Sequence, residues 1–392
     1  MLDPVVIVAA RRTAIGAFQG SLASVPAPLL GSAAIAGVLA DMGGNAADID
    51  EAMFGCCLMA GLKQAPARQA VLGAGLSQAV AATTLSKMCG SGMKAAMLVH
   101  DMLLAGSCRA GLAGGMESMS GAPYVLAGAR KGYRFGHKQI DDHMLLDGLE
   151  DAYEGRQMGY FADMTAQQRG VSRQRQDAYA AESVLRAQHA VASGAFRGEI
   201  APVAVPGRAG GTVIAEDETP GRCDLSKIEQ LRPAFRPEGT VTAANASSIS
   251  DGAAALVLMR ESEAERRGLL PLARIRGHAT HAQAPSEFAT APAPAIRQVL
   301  KKAGWRVDEV DLFEINEAFA LVTLLAMDDL GLAPDVVNVN GGACALGHPI
   351  GATGARVIVT LIHALRSRSL KRGVASLCIG GGEATAVALE VV

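Results

Sequence analysis

The sequence predicts an α/β protein built from two similar halves, and three observations carry that expectation. Short apolar runs alternate with helix-length segments. Glycine occupies 45 of 392 positions, as many tight strand–helix turns require. A loop–helix–strand–glycine unit also occurs twice. Hydrophobic residues make up 50% of the chain and charged residues 19%, against roughly 25% charged in an average soluble protein, which excludes disorder. No apolar run approaches about 18 residues without charges or turn residues, so no membrane-spanning helix is expected. At about 150 residues per domain, the length suggests two or three domains.

Val5–Ala10 (VVIVAA) has the pattern of a strand buried on both faces. Pro28–Met42 reads as a helix, Ala52–Met59 as another buried strand and Gln64–Ala74 as a helix. Met93–Leu104 (MKAAMLVHDMLL) is apolar almost all round, as expected of an internal helix, and Gly111–Gly115 closes this first series. Parallel strands with crossover helices account best for the alternation. From about Ser118 the composition becomes more polar. Asp163–Ala195 reads as two polar helices and Arg197–Thr240 as turns with short strands, together an inserted, mostly surface-built lobe. Gly252–Met259 returns to core composition, and Leu272–Gly277 opens a second series through Pro294–Ala303, Leu312–Ile315, Glu317–Leu330, Val336–Asn340 and Val374–Gly380. In the repeat, a loop with Cys89 leads through a helix and strand to Gly114-Gly115-Met116-Glu117. A loop with His348 leads likewise to Gly380-Gly381-Gly382-Glu383.

Charge excludes further classes. Lys and Arg number 36 and Asp and Glu 38, for a formal net charge of −2, so no overall field favours nucleic acid, and the basic stretch Arg366–Arg372 is too short to supply one. Seven cysteines, an odd number with no C-x-x-C, argue against a disulfide framework or zinc ribbon. The first residues run straight into the strand pattern without a signal-peptide profile, and the chain carries no sorting tripeptide, so a cytoplasmic location is expected.

Four strand–helix junctions carry candidate chemistry. Cys89, within Lys87-Met88-Cys89-Gly90-Ser91-Gly92, lies where helix N–H groups favour a thiolate and where small neighbours let a carbonyl approach; the competing account is a glycine-rich turn with an incidental cysteine. His348, between Gly347 and Pro349, sits outside any helix interior and supplies the base a thiol nucleophile needs, or else simply satisfies local hydrogen bonds. The glycines there lack both phosphate-loop spacings. Cys378 ends a buried strand that runs into three glycines, and the Gly380 N–H is available to an oxyanion. Asn316 is placed like an N-cap, or as an amide that positions water or an acyl oxygen.

In the order KMCGSGMKA, GGMESMS, LRPAF–GTVTAANAS–DGAAA, NEAFA, NGGACALGHPIGATGAR and LCIGGGEA, the chain resembles the thiolase family from Val5 onward, most closely its short-chain β-ketothiolase branch. The resemblance implies two βαβαβαββ halves stacked in five layers (α-β-α-β-α) around an inserted loop lobe. It implies an N-terminal half over residues 1–117, completed by 241–271, a lobe over 118–240 and a C-terminal half over 272–392. Implied substrates are acetyl-CoA, acetoacetyl-CoA or other 3-ketoacyl-CoA, and CoA, with no metal or further cofactor and a homodimer or homotetramer. Cys89 matches the acylated nucleophile, His348 its base and Cys378 the group that moves a proton at Cα. Asn316 with His348 matches one oxyanion hole, and the N–H groups of Cys89 and Gly380 match the other. Ser247, Leu149, Met158, Phe235 and Phe319 match substrate contacts. The chain departs from the family pattern at Ser86, where short-chain members usually have Asn, at Gln157, where many have His, and at Phe288-Ala289, where many have Met-Gly. The last two border the acyl pocket, which leaves a broad-range 3-ketoacyl-CoA thiolase as an alternative; a silent acyl-CoA binder is a separate one, against which the presence of Cys89, Asn316, His348 and Cys378 together argues.

Overall fold

The computed structural model describes residues 3–43, 49–207 and 210–392. The main strands are β1 (Val5–Thr13), β2 (Glu51–Gly55), β3 (Ala81–Leu85), β4 (Ala110–Ser118), β5 (Ser250–Arg260), β6 (Ala273–Ala282), β7 (Leu312–Ile315), β8 (Arg372–Ile379) and β9 (Glu383–Val391). They hydrogen-bond in the order β7-β8-β9-β6-β1-β5-β4-β2-β3. The helices are α1 (Ala27–Asp41), α2 (Pro66–Gly73), α3 (Ser91–Ala105), α4 (Met158–Arg169), α5 (Arg173–Ser193), α6 (Glu261–Arg266), α7 (Pro292–Ala303), α8 (Ala320–Leu330), α9 (Ala343–Leu346) and α10 (Ile350–Ser367).

The expected parallel sheet is corrected to a mixed one. Only β2–β3, β2–β4 and β7–β8 among the main strands pair in parallel. β5, from far along the chain, inserts antiparallel between β1 and β4, and β9 lies antiparallel between β6 and β8. Two half-sheets result, joined at β1–β6 by two residue pairs, Val6 with Arg274 and Ile7 with Ala273. Val336–Asn340, expected to continue the strand series, holds a 3-10 turn at Pro334–Val336 and a single bridge from Val337 to Phe313.

Hydrophobic side chains sort these elements into layers. α1 and α2 cover one face of β1, β2, β4 and β5 through Leu30, Ile35, Ala70 and Val71. α7 and α8 cover the outer face of β6–β9 through Ile296, Val299 and Met327. Between the half-sheets lie α3 and α10, whose Met93, Val99, Val357 and Leu361 join one core with residues of both. A Cβ on Gly92 would come within 2.6 Å of the Ala355 nitrogen, and one on Gly354 within 2.4 Å of the Met93 nitrogen, so two glycines permit this helix crossing. The crossing lies within the first two turns of each helix, which sets the Cys89 and His348 loops side by side.

The 118–240 segment is anchored to the core through charge. The buried Arg12 guanidinium on β1 donates to Glu199 at 2.5 Å and to Asp217 at 2.7 and 2.8 Å. Two carboxylate partners, bound through three hydrogen bonds, offset the desolvation of that charge. On the other side, Phe161 and Ala162 of α4 pack with Phe288, Phe319 and Cys378. No helix among the described residues is long and apolar enough to cross a membrane.

Candidate active site

A cavity of about 400 Å³ opens where the two central helices begin. Cys89, His348, Cys378 and Gly380 line it together with Ser247, Leu149, Met158, Phe235, Phe288, Phe319 and Gln157. The structure thus brings residues from both halves and from the lobe to one wall-to-wall site. Asn316 stands outside this lining, fully buried behind it.

Cys89 immediately precedes Gly90, the N-cap of α3. The residue before it, Met88, has φ of 44°, a left-handed conformation that costs energy for a side chain of this size. Ser91 holds the turn, accepting from Lys87 N at 2.8 Å and donating to Met88 O at 2.6 Å. Lys87 also reaches across the halves to pair with Glu383, just beyond the three glycines. The Ser86 hydroxyl bonds the Cys57 thiol.

The helix N-terminus that favours a thiolate at Cys89 meets an opposing effect. Burial pushes the Cys89 thiol up to about 11, although the N–H groups of Gly380 and of Cys89 itself point at the sulfur and favour the anion. Desolvation outweighs the helix terminus here. Cys378 is pushed up by burial and by Cys89 beside it. Both sulfurs are therefore thiols at rest.

The His348 imidazole is pushed down to about 3, first by burial and then by the positive charge of Arg356. It is neutral at physiological pH. Its Nδ1 lies 2.7 Å from Thr353 Oγ1, and that hydroxyl donates to the Pro349 carbonyl at 2.9 Å. Nδ1 therefore carries the ring proton, and Nε2, buried and without a partner, keeps its lone pair. A neutral imidazole with a free nitrogen lining the same cavity as a thiol supplies the base that nucleophilic catalysis by cysteine requires.

The N-cap reading of Asn316 fails, because α8 begins at Ala320 with Phe319 as its cap. Arg356 donates to Glu314 at 2.7 Å and to Asn316 Oδ1 at 3.3 Å. Burial lifts Glu314 to about 7 despite this partner. With Oδ1 engaged, the free end of Asn316 is its Nδ2, a buried donor that, like the acceptor His348 Nε2, has no partner. Sequence reasoning passed over Thr353, Arg356 and Glu314. A signal was present: Arg356 and Glu314 are opposite charges set in otherwise apolar segments, RVIVTLI and LFEI.

Towards the acyl end the walls are aromatic. Phe288, 2% exposed, meets Phe319 edge-on at a centroid distance of 6.1 Å, and Phe235 meets it at 6.2 Å. The Ser247 hydroxyl donates to the Ala318 carbonyl at 3.0 Å, which fixes the 242–249 loop along one side.

Comparison with known proteins bears on this site. Residues 5–262 match the family described as "Thiolase, N-terminal domain", and residues 269–391 match "Thiolase, C-terminal domain". An acetyl-CoA acetyltransferase of Chromobacterium violaceum is 48% identical over 388 residues, covering 98% of this chain and 99% of that protein. Acetyl-CoA acetyltransferase 2 of Arabidopsis thaliana is 50% identical over 390 residues, covering 99% and 97%. The crystal structure of the Bacillus anthracis acetyl-CoA acetyltransferase superimposes with a TM-score of 0.97 at 40% identity, covering 100% of this chain and 99% of that one.

Proposed function

The chain belongs to the thiolase family and is a thiolase, an acyltransferase acting on coenzyme A thioesters; we propose that it interconverts acetoacetyl-CoA plus CoA with two molecules of acetyl-CoA through an acylated Cys89. The observation that carries this reading is the convergence of Cys89, His348, Cys378 and Gly380 on one cavity. A site that only bound acyl-CoA needs neither thiol nor the proton acceptor between them.

The resting protonation states fit the thiolysis direction step by step. His348 Nε2 takes the Cys89 proton as the sulfur attacks the 3-keto carbon, and the resulting oxyanion is met by the N–H groups of Cys89 and Gly380. The C2–C3 bond then breaks. The departing enolate is protonated at carbon by the Cys378 thiol, while its thioester oxygen is met by the Nε2–H now on His348 and by a water that Asn316 Nδ2 holds from behind the cavity wall. Acetyl-CoA leaves. Incoming CoA gives its thiol proton to the Cys378 thiolate and attacks the acyl-Cys89 carbonyl; Cys89 departs and recovers its proton from the imidazolium. Condensation is the same path in reverse, with Cys378 as the base at Cα. Every proton is carried by the chain or by CoA, so the reaction calls for no metal and no further cofactor. Ser247, Leu149 and Phe235 are assigned to the pantetheine arm, and Met158 and Phe319 to the acyl end.

Phe288 against Phe319 closes the acyl end, which favours a short acyl group over the broad-range reading. Thiolysis of acetoacetyl-CoA beside 3-ketohexanoyl-CoA and a 2-methyl-branched substrate tests this, with acetoacetyl-CoA cleaved fastest. Equal or faster cleavage of the larger substrates assigns the chain to the broad-range class, and cleavage of none leaves a silent binder. We further place the protein in the cytoplasm, in acyl-CoA and fatty acid metabolism, as a homodimer or homotetramer. The half-exposed edge strand β3 and the exposed Tyr124, Phe135 and Ile140 of the lobe support assembly.

A further inference from the structure

The end of α3 opposite to Cys89 carries a second arrangement of reactive groups that the thiolase chemistry does not use. His100 and Asp101 lie on α3, in the N-terminal half; His278 lies on β6, in the C-terminal half. The two rings meet edge-on, 5.0 Å between centroids at 89°. In that orientation both turn a nitrogen to the same carboxylate oxygen: His100 Nδ1 is 3.2 Å, and His278 Nε2 2.8 Å, from Asp101 Oδ1. All three donor atoms lie within 4.8 Å of one another, and among the described residues no other group of three such side chains does this.

The geometry points to a divalent transition-metal site at His100, Asp101 and His278, of the kind that takes zinc. Two imidazole nitrogens with one carboxylate oxygen suit zinc and its neighbours rather than magnesium or calcium, which prefer all-oxygen shells. Ligand distances of about 2.0–2.2 Å in a tetrahedral shell put donor atoms roughly 3.4 Å apart. The observed 2.8 and 3.2 Å have to open by a few tenths of an ångström, and the two nitrogens have to approach. Rotation about side-chain bonds supplies both movements. Asp101 is half exposed, its side chain at 53%, so an ion can enter and keep water in the fourth position. Lys302 nearby gives its Nζ to the His278 carbonyl at 2.8 Å and not to the three donors.

Such an ion stands apart from the cavity and takes no part in acyl transfer. Its effect is mechanical: it ties the helix that carries the nucleophile to a strand of the other half. The test is titration of EDTA-treated protein with Zn²⁺ by calorimetry and thermal melting, and with Co²⁺ by absorption. The expected result is one equivalent of zinc, a raised Tm and a cobalt spectrum without a thiolate charge-transfer band. In His278→Gln, which keeps a hydrogen-bonding partner for Asp101, and in Asp101→Asn, affinity falls by at least about tenfold and the Tm rise disappears, while thiolysis is unchanged. No stoichiometric binding, binding equal in both variants, or a thiolate band that places the ion on cysteine each overturns the assignment.

Discussion

The two central helices occupy matching places yet hold their chemistry by different means. α3 is entered over left-handed Met88, and the nucleophile is aimed by backbone: a tight turn, a serine bracing it, and two N–H groups on the sulfur. α10 is entered over Pro349, and its groups are aimed by side chains: Thr353 on the ring of His348, and Arg356 bridging Glu314 to Asn316. A repeated scaffold therefore supplied two equivalent positions, and a few polar residues made one a nucleophile and the other a proton-handling centre. The α10 side buries a cation, with Arg356 2% exposed, at a desolvation cost that Glu314 and Asn316 offset.

Removing the sulfur on the α3 side gives the largest effect. Cys89→Ser is expected to lower thiolysis by at least about 10⁴-fold and to abolish the acyl-enzyme; label from acetyl-CoA still attached to that variant shows that the nucleophile is elsewhere. Next is the thiol of the C-terminal half. Cys378→Ala still acylates but exchanges Cα protons with solvent about 10²–10⁴-fold more slowly, and normal exchange removes its role.

Breaking the α10 arrangement is expected to be milder. Arg356→Lys keeps a positive charge for Glu314 but loses the bond to Asn316, so kcat falls by about 10²-fold with little change in KM. In Arg356→Met the charge that depresses His348 is gone. Its pKa then rises above about 3 by the smaller part of the depression, since burial remains, and the acid limb of the pH–rate profile moves to higher pH. An unmoved limb denies the coupling. The smallest effect separates a buried thiol from a helix-activated thiolate. With Cys89 near 11, alkylation by iodoacetamide climbs about tenfold per pH unit between 7 and 10; a plateau near pH 7 restores the thiolate.

The sequence made parts of this legible because apolar patterning and glycine placement are local. VVIVAA, MKAAMLVHDMLL and the Cys89 and His348 loops could be read directly, and the cavity brings Cys89, His348, Cys378 and Gly380 together. Strand direction was not legible, since β1 takes β5 as its neighbour from some 240 residues away and nothing local records that pairing. β3 (AATTL) was missed because an exposed edge strand has no apolar run. Asn316 resembled a cap because the loop before α8 runs on to Phe319. The resting state of the thiol was only half legible: the helix terminus could be seen in the sequence, but the depth of burial opposing it could not.

The position of α10 at the centre also has a consequence for the protein's birth. Its residues, Ile350–Ser367, are among the last tenth or so of the chain to be synthesised, yet they fill the inner face of the N-terminal half-sheet. At about 5–20 residues per second, the face of β4, complete at Ser118, waits roughly 12–50 s for α10, and that of β5, complete at Arg260, roughly 5–20 s. Nascent thiolase is thus a prolonged client for whatever shields apolar surface in the cell, and the first three hundred residues cannot close their core alone.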